Sequence, residues 1–133
     1  MRKQRFFAGL FAAVLALLML PGCTRYQSQY KAVGFVHSNT SKNASMEYSS
    51  FEGTMVFQLK CGSGEETIHY SAKLEAGSVR VSYDCGGTKT ELFGIGSGEE
   101  VSQSGGVLQK GTVYLIVETS GASRGGQFAF EVK

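Results

Sequence analysis

Residues 68–85 read IHYSAKLEAGSVRVSYDC, with an apolar residue at every second position on both sides of Gly77. Such alternation places the apolar side chains of an extended chain on one face, because successive side chains of a β-strand point to opposite sides. The stretch therefore predicts two half-buried strands that meet at the glycine. The predicted inward positions are Ile68, Tyr70, Ala72, Leu74, Val79, Val81, Tyr83 and Cys85.

The same alternation continues outward in both directions. Before the stretch, Met55, Phe57, Leu59 and Cys61 share one face, and after it strand-like runs cover 89–95, 113–119 and 127–132. No segment after residue 22 has a sustained helical period, and glycine clusters between the runs, as turns require. The pattern predicts an all-β domain over residues 33–133, a small antiparallel β-sandwich of jelly-roll type.

A resemblance to known domains supports this fold class. The segment LQKGTVYLIV at 108–117, followed by GQFAF at 126–130, resembles the closing strands of bacterial pre-peptidase and carbohydrate-module jelly rolls. The resemblance implies a jelly-roll fold and carries over no functional residue.

The chain also contains an internal repeat with an offset of 34 residues. Gly-Ser-Gly-Glu-Glu occurs at 62–66 and again at 96–100, and each copy is followed by Leu-x-x-Gly-[Ser/Thr]-Val, at 74–79 and 108–113. Two copies are too few for a solenoid. The repeat predicts two similar hairpins in one sandwich, with chance similarity in a glycine-rich chain as the alternative.

The N-terminus has the features of an export signal. Basic residues at positions 2, 3 and 5 precede a 15-residue apolar run, 6–20. This run is shorter than the roughly 20 residues that a membrane-spanning helix needs. We expect residues 1–22 to be a cleaved, helical signal peptide. The alternative is an uncleaved anchor or a core helix, although the run lacks the polar face of a globular helix.

Leu20-Pro21-Gly22-Cys23 resembles the lipobox of bacterial lipoproteins, with Pro21 as a departure from the usual pattern. The resemblance implies cleavage before Cys23 and a thioether-linked diacylglycerol on its sulfur. Two acyl chains hold a protein stably at a membrane. We therefore expect a protein attached to the membrane through its N-terminal lipid and facing the extracytoplasmic side, with residues 23–32 as a polar tether.

Two further cysteines, Cys61 and Cys85, each end an inward-facing row and precede a glycine. Disulfides persist in exported proteins, so we expect these two residues to be bridged. In the chain-entropy model, a bridge that closes a loop of about 24 residues stabilises the fold by roughly 3 to 3.5 kcal/mol. Two buried free thiols are the alternative, and no histidine lies at metal-ligand spacing to either cysteine.

Charge and acidic residues limit the partners. Without residues 1–22 the chain has ten basic and eleven acidic residues, a formal charge of −1, and no basic cluster. Such a surface disfavours nucleic-acid binding. Glu65-Glu66 and Glu99-Glu100 lie in Gly/Ser loops and leave a calcium site open as an alternative to solvated loop tips. No metal or other cofactor is expected.

Catalytic patterns are incomplete. Gly121-Ala122-Ser123-Arg124-Gly125 matches G-x-S-x-G, but that motif needs a following helix and a later Asp and His, which this chain lacks. The motif is interpreted as a turn between strands. His69 alternates with Thr67, Ser71 and Lys73 on the expected solvent face, and His37 ends a short apolar run. We expect no enzyme activity.

These observations favour a non-catalytic binding or accessory module with a surface glycan or protein as partner. The alternatives are a structural envelope lipoprotein and an inhibitor. Tyr83-Asp84-Cys85 resembles the Tyr-x-Cys start of lipoprotein lysozyme inhibitors, but no later cysteine is present to pair with Cys85. The chain has no Trp, so a sugar platform would need Tyr26, Tyr30, Tyr48, Tyr70, Tyr83 or Tyr114.

Overall fold

The computed structural model describes residues 26–133, which form nine strands and no helix. The expected signal peptide and Cys23 lie outside the described residues. Within 26–133, no helix has the length and apolarity to cross a membrane. The strands are β1 (Gln29–Val33), β2 (Val36–Asn39), β3 (Asn43–Cys61), β4 (Ile68–Ala76), β5 (Ser78–Asp84), β6 (Lys89–Gly96), β7 (Glu100–Gly105), β8 (Gly111–Thr119) and β9 (Ser123–Val132).

All strand pairs are antiparallel, and the strand order is β6-β5-β8-β3-β9-β4-β7. The 19 residues of β3 belong to two layers. Residues 54–61 pair with β8 and form layer A together with β8, β5 and β6. Residues 43–51 pair with β9 and form layer B together with β9, β4 and β7. The predicted all-β antiparallel class is confirmed, and its two layers are halves of one continuous sheet.

The strand β3 passes from layer B to layer A near Gly53. Just before this glycine, its buried positions change from even numbers, ending at Tyr48, to odd numbers, beginning at Phe51. Gly53 has φ +129°, and a Cβ at this position would overlap the Gln29 carbonyl oxygen and lie 2.7 Å from the Cα of Tyr30. Only glycine therefore allows β1 to pair closely at this bend.

The sheet is rolled nearly into a barrel. On one side, β1 and β2 pair with β3, and the tip of β2 reaches the layer A half of β3. There Gln58 N donates to Asn39 Oδ1 (3.0 Å), Asn39 Nδ2 donates to Gln58 O (2.8 Å), and Lys60 N donates to Ser41 O (2.7 Å). On the other side, Leu92 of β6 lies 3.6 Å from the position of a Cβ on Gly105 of β7. This arrangement covers sheet edges that would otherwise expose unpaired backbone groups.

The core lies between the two layers and is rich in aromatic rings. Tyr70 of layer B stacks on Phe93 of layer A with centroids 4.3 Å apart and planes 4° from parallel. Phe130 of layer B lies 6.4 Å from both Phe93 and Phe57. Every predicted inward residue of 55–61 and 68–83 is buried, which confirms the alternation pattern, whereas Cys85, also predicted to face inward, is only partly buried.

Part of the predicted tether, residues 23–32, belongs to a strand in the structure. Residues 29–32 belong to β1 and pair with β3, and Tyr26 already contacts layer A. The folded domain therefore begins before residue 33. The polar character of 29–32 reflects an edge strand, on which the outward positions face solvent.

The structure also differs from the predicted Cys61–Cys85 bridge, because both residues are free thiols. The intervening strand β8 separates β3 from β5, so the two backbones are two strand spacings apart, roughly 9.5 Å. A disulfide needs Cα atoms about 4.4 to 6.8 Å apart. Cys61 Sγ instead donates to Ser63 O (2.7 Å), and Cys85 Sγ accepts from Gln109 N (3.1 Å).

The two repeat copies are not the predicted hairpins. The first copy contains β4 and β5 and the second contains β7 and β8, and in each copy the chain crosses from layer B to layer A. Each strand instead pairs with its counterpart in the other copy, β4 with β7 and β5 with β8. The repeated leucines and valines, Leu74, Leu108, Val79 and Val113, are all buried.

Candidate functional site: a polar trough on layer B

The strand register lines up five small residues across the outer face of layer B. Ser45 lies opposite both Ser38 and Ala129, and Ser71 lies opposite both Ala129 and Ser102. Their chain neighbours on β3, β4 and β9 are buried, so these five side chains point outward. The row forms a low floor that crosses β2, β3, β9, β4 and β7, a length of about 19 Å at ordinary strand spacing.

Rows of mostly longer and mostly polar side chains form a wall on each side of this floor, with the exposed Val36 and the short Ser104 as exceptions. The first wall crosses the same strands in the order Val36, Glu47, Gln127, Lys73 and Glu100. The second wall consists of Asn43, Glu131, His69 and Ser104. Together the floor and walls form the layer B trough, with cavity volumes of about 580 Å³ along the first wall and 480 Å³ along the second.

The trough has hydrogen-bonding groups without partners in the domain. Within residues 26–133, Glu47, Lys73 and Glu100 form no ion pair, and the Ser71 and Ser102 hydroxyls form no side-chain hydrogen bond. Carboxylates exceed cations on the first wall, where Glu47 and Glu100 face only Lys73, while Glu131 of the second wall pairs with Lys133 (3.7 Å). The site can therefore donate and accept hydrogen bonds along its length, with a negative bias.

The six tyrosines do not build a sugar platform in the trough, since none faces outward there. Tyr48, Tyr70 and Tyr83 are buried in the core. Tyr26 and Tyr114 pack against each other with ring centroids 5.5 Å apart. Tyr30 is 40% exposed and stacks on Phe51 at 5.1 Å.

The serine of the G-x-S-x-G match has a structural role. Ser123 begins β9, is fully buried, and donates a hydrogen bond to Phe51 O (3.0 Å). Its hydroxyl also lies 2.8 Å from the Tyr48 hydroxyl, whose pKa is raised by burial. A nucleophile must be reachable by substrate, so the interpretation of this motif as a strand connection is supported.

The two acidic pairs lie at opposite ends of β4. The loop 62–67 precedes β4, whereas Ser97 Oγ accepts from Gly77 N beyond its other end. Glu66 is held by Lys42 Nζ (2.9 Å) and by Gly62 N and Ser63 N, and the Lys42 hydrogen bond lowers its pKa to about 2. Among the described residues, no group of three or more potential ligands is placed to hold a metal ion.

The segment that resembles the inhibitor family is part of the layer A framework. Tyr83 and Asp84 are buried at the end of β5, and the Tyr83 hydroxyl accepts from Val107 N at 2.9 Å. The segment does not project as a binding loop.

Comparison with known proteins gives likeness of shape only. No protein-family model matches the chain, and no curated protein matches it. Among solved structures, the chain is similar to TmCBM61 in complex with beta-1,4-galactotriose, at 13% identity and TM-score 0.48, covering 80% of this chain and 87% of that one. A structure described as CBM4 gives 10% identity, TM-score 0.42 and coverages of 77% and 80%. The Drosophila melanogaster CENP-C cupin domain is similar at 12% identity and TM-score 0.33, covering 80% of this chain and 76% of that one.

Proposed function

We propose that this chain is a non-catalytic binding module that takes a glycan chain in the layer B trough and is attached to a bacterial membrane through a lipid on Cys23. The observation that carries the proposal is the alignment of five small residues between two largely polar walls. This alignment makes an open channel across the sheet.

The chemistry of the trough suits a polyhydroxylated ligand. Serine hydroxyls, amides and carboxylates accept hydrogen bonds, while the hydroxyls, amides and Lys73 donate them. A groove that is open along its length admits a linear chain better than a compact molecule. Its volume lies within the usual range of ligand sites. Without an aromatic platform in the trough, most of the binding energy would come from hydrogen bonds, so we expect modest affinity and a strong dependence on groove shape.

The test of the trough uses the full protein purified from its host membrane in detergent. Retention of the protein by soluble polysaccharides is measured in affinity gels containing neutral, uronic-acid or amino-sugar polymers. Ser71→Tyr places a ring on the trough floor, and Ser78→Tyr places the same ring on the exposed outer face of layer A. We expect at least one polymer to retard the parent and Ser78→Tyr but not Ser71→Tyr. Equal retardation of both variants, or none of the parent by any polymer, contradicts the proposal.

The membrane attachment is tested by the intact mass of the same preparation. We expect a chain that begins at Cys23 and carries acyl groups, and no such product from Cys23→Ala. A full-length or unacylated parent contradicts the attachment, whatever the affinity gels show.

A further inference from the structure

The first described residues are fixed to the outer face of layer A. The Tyr26 hydroxyl donates to Asp84 Oδ2 at 2.5 Å, and the Tyr26 ring lies beside that of Tyr114. Two residues later, Ser28 Oγ accepts from Val56 N at 2.9 Å. The polypeptide is therefore attached to layer A before β1 begins, to the outer face at Tyr26 and to the backbone edge of β3 at Ser28.

Only Thr24 and Arg25 separate Tyr26 from Cys23. Three Cα-to-Cα steps of an extended chain span at most about 11 Å. The polar interface on each side of a bilayer is itself roughly 5 to 8 Å thick. A lipid on Cys23 therefore leaves layer A no room to stand clear of the headgroups.

We infer that the outer face of layer A lies against the headgroup surface of the membrane, so that the layer B trough faces away from it. This inference rests on the proposed lipid on Cys23 and adds the orientation of the proposed glycan site. Layers A and B form opposite sides of the rolled sheet. Holding one of them at the membrane therefore presents the other to the medium.

The charges of the two faces agree with this orientation. On layer A, Arg80 pairs with Glu91 (3.2 Å) and Lys89 pairs with Glu118 (2.9 Å), which balances these charges. On layer B, Glu131 pairs with Lys133 (3.7 Å), but Glu47 and Glu100 form no ion pair and outnumber Lys73 on the first wall. Anionic headgroups attract basic and repel acidic surfaces, so layer B is the less favourable face to place at a membrane.

The test measures lysine acetylation on the lipidated protein in vesicles of phosphatidylethanolamine and phosphatidylglycerol. A membrane-impermeant acetylating reagent modifies the outward-facing protein, and mass spectrometry gives the rate at each lysine. Lys60 and Lys89 report on layer A, and Lys73 reports on the trough. The control carries a Gly-Ser spacer of about twelve residues between Arg25 and Tyr26, with an r.m.s. length of roughly 19 Å. This spacer frees the domain without altering either face.

We expect acetylation of Lys60 and Lys89 to be several-fold slower in the parent than in the spacer variant, with the Lys73 rate unchanged. Equal rates in both proteins, protection of Lys73, or absence of acyl groups overturns the inference. Polysaccharide retention by the same vesicles separates the two proposals. If polysaccharide is retained but the lysine acetylation rates are equal in the parent and the spacer variant, only the proposed orientation is contradicted. If Lys60 and Lys89 are protected in the parent but no polysaccharide is retained, only the proposed glycan site is contradicted.

Discussion

The two copies of Gly-Ser-Gly-Glu-Glu have the same sequence and different structures. In the first copy the fifth residue, Glu66, accepts from Gly62 N and Ser63 N and binds Lys42. In the second copy the fourth residue, Glu99, accepts from Gly96 N at 2.5 Å, and Glu100 begins β7 opposite Lys73. The first copy joins β3 to β4 across 62–67, whereas the second turns within 97–99 between β6 and β7. The strands that flank a loop therefore decide which glutamate closes it.

The strands that follow the two loops are more alike than the loops themselves. In layer B, β4 pairs with β7, and in layer A, β5 pairs with β8, so each strand lies beside its counterpart from the other copy. The leucines at equivalent positions test this likeness. We expect Leu74→Ala and Leu108→Ala each to lower the free energy of unfolding by about 2 to 5 kcal/mol, because both side chains are buried. Urea unfolding measures both losses. A near-neutral result for Leu108, which lies just before β8, would restrict the structural likeness to the paired strands.

The glycines at equivalent positions of the two copies should differ in how much stability is lost when they are replaced. Gly77 (φ +105°) and Gly111 (φ +133°) both adopt backbone conformations that disfavour other residues, at a cost of about 1 to 3 kcal/mol for alanine. A Cβ on Gly77 would also lie 2.8 Å from Ser123 Cα, whereas no atom lies within 4 Å of one on Gly111. We expect Gly77→Ala to lower the free energy of unfolding more than Gly111→Ala in the same urea experiment. The opposite order would mean that the backbone near Ser123 can move to make room for the added Cβ at little energetic cost.

The acidic residues of the two copies should contribute differently to the pH dependence of stability. The folded pKa of Glu66 is about 2, below the value near 4.3 of an unfolded chain. Its stabilising effect is therefore complete above about pH 4.3 and is lost as the pH falls toward 2. We expect Glu66→Gln to flatten the fall in melting temperature over this range. Glu100→Gln, at the same position of the second copy, is the control and should keep the fall of the parent.

The smallest effect concerns the thiol next to the first copy. Cys61 is buried, donates to Ser63 O, and has a pKa that burial raises, whereas Cys85 is half-exposed. We expect iodoacetamide at neutral pH to alkylate Cys85 faster than Cys61, as followed by peptide mass spectrometry. Under denaturing conditions without reductant, both thiols should react. Failure of both to react there would show that the purified protein carries the bridge absent from the structure.

The sequence predicted only part of the candidate site. Alternation on β4 correctly assigned His69, Ser71 and Lys73 to the solvent face. It could not show that Ser71 lies between Ala129 and Ser102, which come from separate parts of the chain. For the same reason, inward parity at Cys61 and Cys85 suggested a bridge while the intervening strand β8 stayed hidden.

The sequence by itself determined the all-β class, the inward rows and the absence of a helical period in the described part, because side-chain alternation is a local property of an extended chain. Tertiary structure alone decided the strand order, the trough and the separation of the two thiols. These features depend on register between segments as distant as Ser45 and Ala129. A shift of one residue in that register would turn the floor of the trough into the core.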